Sequence, residues 1–141
     1  MTTHRPEAGF LGTPRHTPEV QRLFDDDLAD TGYVTNAARV WAYQPATHDA
    51  LFELLHETGM ARGLDERRRG TLIAACASVL GDAYCSLAWG GKLAGASDPR
   101  TAAGVLKGDD GGLTGAERAM TAWARKVARA PSATTGRPME D

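Results

Sequence analysis

Helix punctuation recurs along this chain, and it constrains the fold more than any other feature. Thr17–Pro18 is a capping residue followed by proline in the first helical position, where its missing N–H costs nothing. Gly32 stands where a helix begun there would stop. Asp65 precedes "ERRRGTLIAACASVL", Gly81 closes it, and Asp82 is placed to cap the next segment. Ser97-Asp98-Pro99 opens another, and Thr114 with Glu117 forms a capping box. No segment alternates apolar and polar residues long enough to make a strand. The chain therefore reads as all-α, with about seven helices over 17–30, 36–43, 46–58, 66–80, 83–94, 99–106 and 115–130. Residues 1–16 and 132–141 read as flexible tails around one helical domain, 17–131.

Two apolar stripes stand out. Leu51, Phe52, Leu54 and Leu55 form one. Leu72, Ile73, Cys76, Val79 and Leu80 form another, expected to be a buried face with Cys76 as a small core residue. With 141 residues, 42% of them hydrophobic, the chain is long enough for a real core. The net charge of −2 provides no field to attract nucleic acid, and the short basic run "ERRRG" reads as a solvated helix face. No apolar run approaches the roughly 18–20 residues a membrane span needs, and no signal core opens the chain. Two cysteines do not make a disulfide scaffold, so a reducing cytoplasm is expected. Cys76 and Cys85 are nine residues apart, about 13 Å along a continuous helix, too far for a disulfide.

The chemistry-bearing residues are few. Behind Asp82, Cys85 is the third residue of a helix, where unpaired N–H groups and the helix dipole favour a thiolate. The Asp82 carboxylate opposes it. Cys85 and Trp89 are four apart, on one face. His48 and His56 share the helix at 46–58, with Glu53 and Glu57 beside them to orient an imidazole. His4 and His16 lie in the loose N-terminal region. No ligand pairs have metal-site spacing, no calcium loop or phosphate loop is present, and no cofactor is implied.

The order "GYVTNAARVWAYQPATHDALFEL", "LDERRRGTLIAACASVLGDAYCSLAWGGKLAG", "DPRTAAGVLKGDD" and "LTGAERAMTAWARKVARAP" resembles the alkylhydroperoxidase D-like proteins, which share their fold with the carboxymuconolactone decarboxylases. The resemblance covers about residues 18–131 and implies a homo-oligomer with sites near subunit contacts. Redox members of the family carry Cys-x-x-Cys, a histidine four residues after the second cysteine and a glutamate about twelve before the first. Here the second cysteine is Cys85, preceded by Tyr84, but Asp82, Trp89 and about Gly70 occupy the other three places. The resemblance also implies that the helix bearing His48 and His56 packs near the cysteine-bearing one.

Three functions remain open. Cys85 serves as a one-cysteine peroxidase or thiol oxidoreductase regenerated by an external thiol. Or the chain is a non-redox lyase, isomerase or decarboxylase on a small organic acid or lactone, with His48 or His56 as acid or base in a pocket lined by Tyr84, Trp89 and Trp41. Or it is a non-catalytic binding or scaffold relative.

Overall fold

The computed structural model describes residues 13–134. These carry seven α-helices and no strand: α1 (Pro18–Thr31), α2 (Asn36–Trp41), α3 (Pro45–Thr58), α4 (Glu66–Leu80), α5 (Ala83–Ala96), α6 (Pro99–Lys107) and α7 (Gly115–Arg129). Two 3₁₀ turns, Met60–Arg62 and Pro131–Ala133, were not expected from the sequence. The second takes up the start of the segment read as a C-terminal tail. Residues 135–141 of that tail, and most of the N-terminal one with His4, lie outside the described residues. No described helix is long and apolar enough to cross a membrane. The chain forms two compact units divided between Glu57 and Thr58.

The first unit holds α1, α2 and all but the last residue of α3. The Thr17 hydroxyl accepts from the Val20 amide at 3.3 Å and Gly32 closes α1 in the left-handed conformation. Thr35 caps α2 by accepting from the Ala38 amide at 3.1 Å, and its own amide donates to the Asp27 carboxylate at 2.6 Å. The second helix is shorter than expected, because Ala42 and Tyr43 form a turn in front of Gln44–Pro45. Val20, Leu23, Ala38 and Ala42 are buried. No residue of α3 is.

The second unit is built on α4, which packs against α5, α6 and α7, with α5 also against α6. Its buried face is not the expected one. Gly70, Thr71, Ala74, Ala75 and Ala77 are buried, whereas Leu72, Ile73, Cys76 and Val79 are half-buried and Leu80 is 65% exposed. Small side chains let helices close tightly, so the line of closest approach follows the alanines and the large residues flank it. Ala74, Ala75, Leu93, Ala102, Val105, Leu113 and Ala124 make the core. Leu93 and Val105 are fully buried, and burying one such side chain contributes about 1.5–3 kcal/mol.

Two ion pairs tie this unit together. Arg67 of α4 donates to Glu117 of α7 at 2.6 and 3.3 Å, and Glu117 also accepts from the Thr114 amide in the expected capping box. Arg125 donates to Asp110 at 2.6 and 2.9 Å and to the Val105 carbonyl at 2.9 Å, pinning the loop after α6 to α7. The "ERRRG" run is thus more than a solvated face.

Candidate functional site

Cys85 lies in the first turn of α5, half-buried. Asp82 caps the helix as expected, accepting from the Cys85 amide at 3.0 Å. That bond comes first among the interactions holding the Asp82 carboxyl below its usual range. The thiol responds oppositely. Burial, then its hydrogen bond to the Asp82 carboxylate, then that carboxylate's charge, push Cys85 above the ordinary thiol range. The opposing effects weighed from the sequence therefore resolve toward a protonated thiol. Cys76 is also a free thiol, pushed up by burial, and donates to the Ala124 carbonyl at 3.6 Å.

Trp89, one turn further along α5, is half-buried. The Arg69 guanidinium lies 5.2 Å from its ring centroid and the Lys92 ammonium 6.0 Å. The position thus presents an indole flanked by two cations. Arg69 reaches Trp89 from α4, a contact between helices that leaves no local signal, whereas Lys92 stands three residues after Trp89 on α5, a spacing that was a usable signal. Tyr84 is 48% exposed and Trp123 63% exposed.

Gly70 has a packing role. A Cβ there would lie 3.1 Å from Leu93 Cβ and 3.2 Å from Leu93 Cα. The backbones of α4 and α5 meet at this point, and no side chain projects between them.

In the first unit, His48 Nδ1 lies 3.0 Å from Asp49 Oδ1. Arg22 donates to the other oxygen of Asp49 at 2.7 Å. The His48 and Arg22 hydrogen bonds hold the Asp49 carboxyl below its usual range. An ionised carboxylate only accepts, so Nδ1 donates its proton to Asp49, and in the neutral tautomer this fixes, the lone pair is on Nε2. Trp41 meets the imidazole edge-on at 5.6 Å between ring centroids, and Phe52 lies against it at 4.2 Å. Its side chain is only 21% exposed. The structure therefore brings together two of the expected residues, His48 and Trp41. His56 is exposed two turns further along α3 and joins neither. The orienting carboxylate is Asp49, not Glu53 or Glu57. The adjacent "HD" pair was a usable signal for it, whereas Arg22 comes from 27 residues away.

Among the described residues no three His, Cys, Asp or Glu side chains group as metal ligands. No family model matches the chain, and neither a curated protein nor a solved structure matches it.

Proposed function

We propose that this chain is an alkylhydroperoxidase D-like homo-oligomer of the cytoplasm that works without a redox thiol. It is a carboxymuconolactone decarboxylase-like lyase or isomerase on a small organic acid or lactone, with His48 as the acid/base group. The observation that carries this reading is the Arg22–Asp49–His48 chain, which orients an imidazole and leaves Nε2 to exchange a proton. Nε2 removes a proton from the carbon beside a carboxyl or lactone carbonyl. The electron pair left on carbon delocalises into that carbonyl, and Asp49 stabilises the imidazolium. Returning the proton to a different carbon completes an isomerisation. In a decarboxylation no carbon-bound proton is removed first: the bond between carbon and the carboxylate breaks, its electron pair delocalises into the carbonyl, and His48, entering this reaction as the imidazolium, protonates the carbon left behind.

The redox alternative draws less support. Cys85 is held protonated. The place that the resemblance gives to a glutamate, about Gly70, is a helix contact where a Cβ would already lie 3.1 Å from Leu93 Cβ, with no space for a longer side chain beyond it. Turnover of unsaturated lactones and β-keto acids decides between the readings. His48→Ala should lose about 10²-fold or more, the usual contribution of a general acid or base, and Cys85→Ser should keep its activity. Unchanged turnover in His48→Ala overturns the assignment. So does consumption of an organic hydroperoxide with excess dithiol that disappears in Cys85→Ser, which would restore the one-cysteine peroxidase.

A further inference from the structure

A second feature of the first unit is independent of the His48 chain. Between α1 and α2 runs a groove of about 360 Å³. Val20, Phe24, Val40 and Tyr43 form its apolar lining, and Arg39 and His16 supply its polar edge. Its size falls at the lower end of ordinary small-molecule sites, roughly 300–1,000 Å³. Val20 at its base is 2% exposed, whereas Val40 is 57% exposed, so the groove is an open apolar channel with a floor. His16 is occupied, with Nε2 2.8 Å from Gln21 Oε1. Arg39 is not: among the described residues its guanidinium has neither an ion-pair nor a hydrogen-bond partner. In the same unit Arg22 is bonded to Asp26 and Asp49.

We infer that this groove binds a medium-chain apolar carboxylic acid, its hydrocarbon chain along Val20, Phe24, Val40 and Tyr43 and its carboxylate on Arg39. The charge complementarity selects this occupant. A guanidinium presents a planar fork of donors that matches a carboxylate with two parallel hydrogen bonds. An apolar lining alone would accept any hydrocarbon, and Arg39 is what selects an acid over an alcohol or an amine.

Calorimetric titration of the full chain with decanoate tests the assignment, with decanol and decylamine as controls. Wild type should bind decanoate saturably, with decanol and decylamine at least tenfold weaker. Arg39→Gln, an exposed and structurally mild change, should weaken decanoate about tenfold or more, as expected for a lost charge-assisted bond. Val40→Glu should abolish binding. Absence of saturable binding, equal affinity in Arg39→Gln, or decanol binding as tightly as decanoate overturns the proposal. It is also overturned if Val40→Glu dissociates an oligomer that decanoate leaves intact, since a second copy would then be the occupant. His48→Ala and Cys85→Ser alter no groove residue, so the proposed activity and this site fail separately.

Discussion

The Cys85 thiol is held protonated first by burial and then by a carboxylate one helical turn away. Asp82 accepts from the Cys85 amide and from its sulfhydryl, so the charge that stabilises α5 also keeps Cys85 protonated. Asp82→Asn separates the two effects, because asparagine caps a helix about as well and carries no charge. The pH midpoint of Cys85 alkylation by iodoacetamide should move downward in this variant, and the rate at pH 8 should rise severalfold. An unmoved midpoint would leave burial as the only cause. Asp49 acts on His48 in the opposite sense, holding a proton on Nδ1. Asp49→Asn should lower turnover in the proposed reaction by about 10–100-fold, an effect of the size found when the group orienting an imidazole is removed. Both carboxylates stand within three residues of their partners, and the Asp82 cap was legible for that reason. The Arg69 contact with Trp89 and the Arg22 contact with Asp49 join separate helices, and the chain carries no local trace of either.

Helix boundaries followed their caps closely, since capping is local chemistry between residues three apart. The buried face of α4 did not follow the largest apolar residues, because tight approach between helices depends on the smallest ones. Glu117 shows how one side chain joins two elements. Arg67 first, then the Thr114 bonds, lower its pKa from 4.5 to about 2. A carboxyl depressed in the folded state stabilises the fold above its unfolded pKa and loses that contribution as pH falls. Stability should therefore be level above about pH 5 and decline from 4.5 toward 2, by on the order of 2–3 kcal/mol from this group. Denaturant titration across that range should show the decline, and Glu117→Gln should flatten it while lowering stability at pH 7. An equally steep acid decline in Glu117→Gln would assign the effect to another carboxylate.

At the scale of the molecule, much apolar surface lies open. Leu51, Phe52, Leu54 and Leu55 of α3 are 38–56% exposed, Leu87 of α5 is 77% exposed, and the whole of α3 is without a buried residue. An amphipathic helix holds its shape in water chiefly by burying its apolar face. The proposed homo-oligomer supplies that cover. Sedimentation should find wild type associated at micromolar concentration, and Phe52→Glu with Leu55→Glu should be monomeric with its helix content kept. A monomeric wild type would refute self-association through this surface. All-α architecture was legible because its signals repeat along the whole chain. A division into two units was not, because it depends on which helices touch.

The contact between Gly70 and Leu93 also bears on protein design. Building a two-cysteine relay into this scaffold by exchanging residues at Asp82, Trp89 and Gly70 would not succeed at the third position. Alanine there would be close to neutral, with about 1 kcal/mol of helix propensity gained against a 3.1 Å contact. Glutamate adds a buried charge and no space to hold it, a cost of about 3 kcal/mol or more. Trimming Leu93 does not open the gap, since the nearest atoms include its Cα and N. A graft would have to move a helix axis before it changed a side chain.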